Sequence, residues 1–199
     1  MTTLAVSSRP AVAPSLPLLP PLRLHLEHNR KTSNSPPWGK SAGFQEPVRI
    51  MLSKHLSCVF RTASGQLFSQ SDLGTYQLTA HQLWRLAATE IIAGHLIGGE
   101  TELLVRCSSV LLGRATPPGI EVSSAHASGA SWLGHPRTFT ILHHHCVQLL
   151  QPKIGLVYSW IVMRERQRLF VFDAHPEAIR SVPGLGEPVE YAHGFPVLR

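Results

Sequence analysis

Three consecutive histidines beside a cysteine, His143, His144, His145 and Cys146, form the densest group of potential metal ligands in the sequence. Residues 136–150 have the apolar spacing of an amphipathic helix, on which successive side chains turn by about 100°. The three rings therefore point in three directions and do not meet at one ion. A zinc-binding helix offers histidines four residues apart with an acid between them, and this segment contains no acid. The sequence predicts that these histidines flank the buried face of a helix, and it predicts no metal site.

A second candidate follows the apolar segment LFVF, residues 169–172, where Asp173 is separated from His175 by one residue. A strand end can hold polar side chains in fixed positions at the edge of a sheet. An aspartate can orient a histidine, and a histidine can deprotonate a thiol, so this pair could serve a cysteine nucleophile. The catalytic hypothesis combines Asp173 and His175 with Cys58. The chain has three cysteines that could supply the thiol: Cys58, Cys107 and Cys146.

The segment FVFDAHPE, residues 170–177, with two predicted strands before it, resembles the Asp-X-His segment of the herpesvirus tegument deubiquitinating cysteine proteases. The resemblance is confined to this part of the chain and implies that Asp173 and His175 would complete a cysteine-protease site. In that family the nucleophile lies in a Gly-Gln-Cys-like turn that opens a helix, where the helix dipole favours the thiolate. Here Cys58 and Cys107 lie in strand-like segments and Cys146 in a predicted helix, which departs from that pattern.

Arg164, Arg166 and Arg168 are concentrated in the short segment RERQR, with Glu165 as the one acid. The segment lies between two apolar runs, so we expect it at the tip of a hairpin, where it could contact phosphate or an acidic partner. These three arginines are the candidate binding residues. The sequence contains no glycine-rich phosphate loop between a strand and a helix, and no small-molecule cofactor is indicated.

The bulk composition fits one globular domain with an accessory segment, since the 199 residues are 43% hydrophobic and 15% charged. The net charge is +6, and half of it lies in residues 1–47, which hold five basic and two acidic residues. Three cysteines without CxxC spacing predict neither a disulfide framework nor a cysteine zinc site, and a reducing compartment such as the cytoplasm or nucleus is expected. No apolar run reaches the length of a membrane span.

Residues 1–47 are predicted to be a disordered arm rich in proline, serine and arginine. Residues 1–40 alone contain seven of the sixteen prolines, which interrupt any helix or central strand. The alternative is an organelle-import segment, because the composition is rich in Arg and Ser and poor in acids. The prolines, however, also break the amphipathic helix that such a segment requires. The folded domain is predicted to span residues 48–199.

The patterns in that domain predict a hairpin from residue 48, a helix that begins after a Thr79–Gln82 capping box, and strands in TELLVRCSSVLLG and GIEVSS. A second helix is expected from Pro136, followed by a central strand at IGLVYSWIVM and its partner at RLFVFDA. From about residue 176 the repeated Gly and Pro predict irregular coil. The expected fold is α+β, a mainly antiparallel sheet with two helices packed on one face.

The leading functional interpretation is a non-enzymatic interaction or regulatory protein, and the expected partner is another protein. The first alternative is the cysteine-type, deubiquitinase-like hydrolase that would use Asp173 and His175. The second is a nucleic-acid-binding accessory protein that would use the basic arm and the hairpin from Arg164 to Arg168. The enzyme alternative requires a cysteine sulfur close to His175, with Asp173 on the other side of the ring.

Overall fold

A computed structural model of the chain describes residues 18–29, 45–97, 100–123, 128–164 and 166–198. The strands and helices follow in this order: β1 Leu22–His28, β2 Arg49–Ser53, β3 Leu56–Thr62, α1 Gln70–Tyr76, α2 Ala80–Ala93, β4 Leu96–Ile97, β5 Glu100–Thr101, β6 Leu104–Cys107, α3 Ser109–Leu112, β7 Gly119–Ser123, a 3₁₀ helix Gly129–Gly134, α4 Pro136–Leu150, β8 Leu156–Met163, β9 Arg166–Asp173, α5 Pro176–Arg180, β10 Val189–Ala192 and β11 Phe195–Leu198.

The largest element is a six-stranded antiparallel sheet in the order β11-β10-β8-β9-β7-β6. Its centre is the hairpin of β8 and β9, which pair without interruption from Leu156↔Asp173 to Met163↔Arg166. Apolar residues on both faces of β8 predict a strand buried on both sides, and residues 156–160 are indeed all buried. The predicted α+β class and the mainly antiparallel pairing are confirmed.

A separate three-stranded antiparallel sheet has the order β1-β3-β2. The predicted hairpin from residue 48 is its β2–β3 pair, and β1 pairs with β3 from Leu22↔Thr62 to His28↔Leu56. The prediction of a disordered arm over 1–47 is therefore wrong for residues 22–28. Leucine alternates with polar residues in LRLHLEH, so that one face of β1 is buried in the core. Residues 1–17 and 30–44 of the predicted arm lie outside the described residues.

Two longer helices cover the main core as expected. Helix α2 begins with the predicted capping box, in which the Thr79 side chain accepts the backbone N–H of Gln82, and α4 begins at Pro136. The core that they share with both sheets contains large buried side chains from many elements, including Leu24, Phe60, Leu83, Trp132, Phe139, Leu142 and Tyr158. A smaller core of Val157, Phe170, Phe172, Ala174 and Ile179 lies on the opposite face of the six-stranded sheet. Helix α5 contributes to it, so helices contact both faces.

The predicted irregular coil from about residue 176 is wrong. Pro176 opens the short helix α5, since a proline at the first helical position loses no hydrogen bond. Strands β10 and β11 then form a hairpin whose two turn residues, His193 and Gly194, have φ angles of 49° and 88°. Two residues with positive φ form the turn that suits the twist of a tight hairpin. This hairpin extends the sheet beyond β8.

Two further segments differ from the sequence expectation. Residues 109–112, predicted to continue a strand, form the single helical turn α3. Helix α1 was not predicted, although its capping box joins Ser69 and Asp72 in the same pattern as that of α2. None of the helices within the described ranges has the length and apolar character needed to cross a membrane.

Candidate functional site

The tip of the β8–β9 hairpin carries the three arginines predicted to bind a partner. Arg164 occupies the turn with a φ of 47°, and Arg166 and Arg168 alternate with Gln167 along β9. Because side chains alternate between the faces of a strand, Arg166 and Arg168 share one face of the sheet. Arg164 and Arg166 are exposed and Arg168 is half-buried. The fold therefore gathers the predicted guanidinium groups at one end of the sheet.

Glu121 on β7 is the centre of an ion-pair ladder that crosses three neighbouring strands. Its carboxylate is 2% exposed. One carboxylate oxygen lies 2.6 Å from Nε of Arg106 on β6, and the other lies 2.6 Å from Nε of Arg168 on β9. A buried carboxylate is stable only with charged or hydrogen-bonding partners. The two arginines supply them, and the ladder as a whole retains one positive charge.

A groove of about 480 Å³ opens beside this ladder, at the base of the hairpin tip. The residues that line it are Glu121, Val122, Ser123, Ser128, Gly129, Met163, Arg164, Arg166, Gln167 and Arg168. Three of these residues are arginines, Arg164, Arg166 and Arg168, and Glu121 is the one acid among the described lining residues. The groove is consequently electropositive and offers planar, multidentate donors to an anion. We refer to it below as the arginine groove.

The wall of the arginine groove is held by hydrogen bonds between Ser128 and Gln167. The Ser128 hydroxyl accepts the backbone N–H of Gln167 at 2.8 Å and donates to its carbonyl at 2.5 Å. The neighbouring Gly129 lies so close to β7 that a Cβ there would be 2.5 Å from the Val122 carbonyl oxygen. The start of β9 is thus fixed from two sides, and the arginines project from a backbone in one defined position.

Asp173, the predicted orienting acid, instead holds a backbone turn. Its two carboxylate oxygens accept the N–H groups of Lys153, Ile154 and Gly155 at 2.9, 2.9 and 3.0 Å. These hydrogen bonds, with that from Lys153 the strongest contributor, lower the pKa of the Asp173 carboxyl. These hydrogen bonds hold the turn that connects α4 to β8, so the role of Asp173 in this structure is structural.

Cys58 and His175 are placed in different surroundings. Cys58 lies on the central strand of the three-stranded sheet between Leu26 and Ile50, and it is fully buried. Burial raises the pKa of its thiol to about 12, which disfavours a thiolate. His175 is exposed at the start of α5. Within the described ranges no hydrogen bond links His175 to Cys58 or to Asp173, so the structure does not assemble the predicted catalytic group.

The other two cysteines differ in accessibility. Cys146 is buried on α4, and burial raises the pKa of its thiol to about 12. Cys107 is exposed on β6, where its sulfur lies 2.9 Å from the Ser109 hydroxyl. That hydrogen bond lowers the pKa of the Cys107 thiol. Cys107 is therefore the most accessible thiol in the chain, although His175 is not among its hydrogen-bonding partners.

The three histidines of α4 differ in exposure, because successive side chains on a helix point in different directions. His143 is half-buried, while His144 and His145 are exposed. The His143 ring stacks on Tyr191 at a centroid distance of 4.0 Å, and its Nδ1 lies 2.8 Å from the Tyr158 hydroxyl. Burial lowers the pKa of His143, with a smaller contribution from His144. Across the described part of the chain, no three His, Cys, Asp or Glu side chains are grouped so that they could hold a metal ion.

Glu121 and Arg106 are the site residues that sequence reasoning missed. The signal was present in GIEVSS, where an acid stands in the middle of an otherwise apolar strand and so requires a cationic neighbour. The identity of that neighbour depends on the strand order β9-β7-β6, which local patterns do not reveal.

Comparisons with protein-family models, with curated proteins and with solved structures found no match to this chain.

Proposed function

We propose that this protein is a non-enzymatic interaction domain that binds an acidic segment of a partner protein in the arginine groove. The observation that carries the proposal is the clustering of Arg164, Arg166 and Arg168 along one groove, in which Glu121 is the one acid among the described lining residues. The guanidinium group of Arg168 is paired with Glu121. Those of Arg164 and Arg166 are exposed beside it.

The charge balance favours an anionic ligand. Three arginines and one glutamate line the groove, so its described side chains carry an excess of two positive charges. Such a concave, positively charged surface concentrates anions and increases their rate of association. Carboxylates of Asp or Glu fit the forked donors of Arg166 and Arg164 in a bidentate manner.

The neighbouring surface favours a protein over a nucleic acid. Val162 and Met163, on the same hairpin, are 62% and 42% exposed. These aliphatic side chains can pack on the apolar residues of a peptide. Grooves that bind single-stranded nucleic acid instead present aromatic rings on which bases stack. The lining residues of the groove include no aromatic ring, and the large aromatic side chains Trp132, Tyr158 and Trp160 are buried.

The cysteine-hydrolase alternative has less support. It requires a nucleophilic thiol, whereas Cys58 is fully buried and its pKa is raised to about 12. It also requires that Asp173 orient His175, whereas both Asp173 oxygens accept backbone N–H groups of residues 153–155. Local rearrangement of two separate regions would be needed before these groups could act together.

The test is a binding titration with a fluorescent Glu-rich peptide, followed by fluorescence anisotropy on the full chain. Arg166→Glu is expected to weaken binding by about tenfold or more, because it replaces an attraction with a repulsion inside the groove. Arg85→Glu, on an exposed site of α2, makes the same change in net charge and is the matched control. Equal loss in both variants would show a non-specific charge effect and refute the groove. Tighter binding of a single-stranded oligonucleotide, lost in Arg166→Glu, would favour the nucleic-acid alternative.

A further inference from the structure

Strand β6, Leu104–Cys107, is an edge of the six-stranded sheet, and all four of its side chains are exposed. It pairs with β7 on one side. On its other side no strand of the described residues pairs with it. An open edge presents a row of backbone donors and acceptors that can pair with another chain, and proteins commonly protect such edges. Leu104 and Val105, 60% and 41% exposed, make this edge apolar as well.

The backbone of β6 directs alternate residues toward the open side. Ser108 donates its N–H to the Gly119 carbonyl on β7 at 3.0 Å. Since backbone groups alternate along an antiparallel strand, Arg106 and Leu104 also face β7, and Val105 faces outward. The Glu102 N–H is already occupied, because it donates to the His95 carbonyl at 2.8 Å. The odd-numbered residues from 103 to 107 therefore offer their N–H and C=O groups to an incoming strand.

We propose that a second copy of this chain pairs with β6, antiparallel about a two-fold axis at Leu104. Outward-facing residues must meet outward-facing residues, so the axis passes through a residue, and axes at Leu104, Val105 and Arg106 are those centred within β6. An axis at Leu104 places Glu102 opposite Arg106 of the second copy, and it does so twice by symmetry. An axis at Arg106 places two arginines opposite each other, which is unfavourable. An axis at Val105 places Arg106 opposite Leu104 of the second copy, so neither arginine gains an acidic partner.

The side chains around that axis suit the pairing. Leu104 meets its own copy at the centre, while Leu103 and Val105 form the hydrogen-bonded pairs on either side. Val105 also lines a groove of about 370 Å³ between β6 and α4, whose other lining residues include Ile120 and Leu149. The two six-stranded sheets become continuous across the interface. Because the shared strand is short, the contact falls in the size class of weak, reversible dimers.

The first test is sedimentation equilibrium of the full chain over protein concentrations from about 1 to 200 μM, a range chosen for a weak interface. Val105→Pro removes an N–H that faces the open side and leaves the ladder to β7 intact, as prolines on edge strands do. It is expected to weaken dimerisation by about tenfold or more, since two symmetry-related hydrogen bonds are lost. Val105→Ala keeps the N–H and is the matched control. A protein that remains monomeric, or a dimer unaffected by Val105→Pro, overturns the proposal.

The second test determines the strand register from an engineered disulfide. It uses a Cys107→Ser background, because Cys107 is the exposed thiol and would also be oxidised. With the axis at Leu104, the Cα atoms of Leu104 and its copy are about 4.5 Å apart, as in a non-hydrogen-bonded antiparallel pair. Leu104→Cys is then expected to form an intermolecular disulfide under mild oxidation, since this separation is within disulfide range. Val105→Cys is expected to cross-link more slowly. The reverse order, or association with a different protein strand at this edge, would overturn the proposed pairing.

The dimer proposal and the proposed function can be refuted independently of each other. Val105 is not among the residues that line the arginine groove, so Val105→Pro is expected to leave peptide binding unchanged. Conversely, Arg166→Glu is expected to leave the dimer intact, because Arg166 lies on β9, two strands away from β6. Loss of peptide binding in Val105→Pro would show that the two surfaces act as one.

Discussion

Gln167 on β9 and Leu26 on β1 are joined by two hydrogen bonds across a sequence separation of 141 residues. The Leu26 N–H donates to Oε1 at 2.8 Å, and Nε2 donates to the Leu26 carbonyl at 2.7 Å. The Gln167 side chain is 1% exposed. Its amide therefore satisfies the outer edge of β1 as a neighbouring strand would, and it ties the three-stranded sheet to the six-stranded one.

Gln167→Ala is expected to lower the free energy of unfolding by about 2–4 kcal/mol, because it leaves a buried N–H and a buried carbonyl of Leu26 without partners. The measurement is urea denaturation followed by circular dichroism. Gln148→Ala, at an exposed position of α4, is the control and is expected to change stability by less than about 0.5 kcal/mol. Equal effects of the two substitutions would contradict a structural role for the Gln167 amide.

Arg166 and Arg168 are expected to separate binding from stability. Arg166 is exposed, so Arg166→Ala weakens peptide binding with little change in the free energy of unfolding. Arg168→Ala weakens binding and also lowers the free energy of unfolding by about 1–3 kcal/mol, because it removes one of the two partners of the buried Glu121 carboxylate. Anisotropy titrations and urea denaturation of the same preparations measure both quantities.

The double variant Arg168→Ala with Glu121→Gln is the control for that interpretation. A glutamine keeps the shape of Glu121 but carries no charge, so the cost of an incompletely paired carboxylate disappears. The double variant is expected to be more stable than Arg168→Ala alone. Additive losses from the two substitutions would show that the ion pair is not the cause of the destabilisation.

Local patterns in the sequence predicted those elements whose stabilising contacts are close in the chain. The capping box of Thr79 and Gln82, the proline start of α4 and the two apolar faces of β8 are all complete within a few residues. Such features can be predicted directly from residue propensity and from the periodicity of apolar residues. The hairpin of β8 and β9 was also accessible, because its two strands are separated by a short polar turn.

Features that depend on distant pairing were missed. Strand β1 was assigned to a disordered arm because of the surrounding prolines, and its place in the fold depends on β3 and on Gln167. Glu121 is a site residue only because β7 lies between β6 and β9. The β10–β11 hairpin was missed because one of its two residues with positive φ is His193. Asparagine, aspartate or glycine would have marked that turn.

The half-buried position of His143 predicts a dependence of stability on pH. Its pKa is lowered from 6.5 in the folded protein, chiefly by burial. The unfolded chain therefore takes up a proton at a higher pH than the folded chain does, and this contribution to stability is present above about pH 6.5 and is lost as the pH falls below it. Urea denaturation between about pH 7.5 and 5 is expected to show a smaller loss of stability in His143→Gln than in the wild type.

His145→Gln on the same helix is the matched control, because His145 is exposed. It is expected to leave the pH dependence of the unfolding free energy close to that of the wild type. The pKa values of His25 and His135 are lowered as well, chiefly by burial, so part of the dependence remains in His143→Gln. A pH profile unchanged by His143→Gln would contradict the role assigned to its half-buried ring.

The three thiols are expected to react with an electrophilic probe in a defined order. Cys107 is exposed and its pKa is lowered by the Ser109 hydrogen bond, so it is labelled first in the native protein. Cys58 and Cys146 are buried with pKa values raised to about 12, so they are labelled only as the protein unfolds. Mass spectrometry of labelled peptides over time, with and without urea, measures the order.

The same experiment decides between the interaction domain and the cysteine hydrolase. The Cys107→Ser variant is expected to lose native-state labelling, and His175→Ala is expected to leave all three rates unchanged, since none of the cysteines is hydrogen-bonded to His175 in the described residues. A hydrolase would behave differently, because a histidine that takes the thiol proton increases the thiolate fraction near neutral pH. Native labelling of Cys58 that slows in His175→Ala would therefore show that the two groups meet, and the enzymatic alternative would then be favoured.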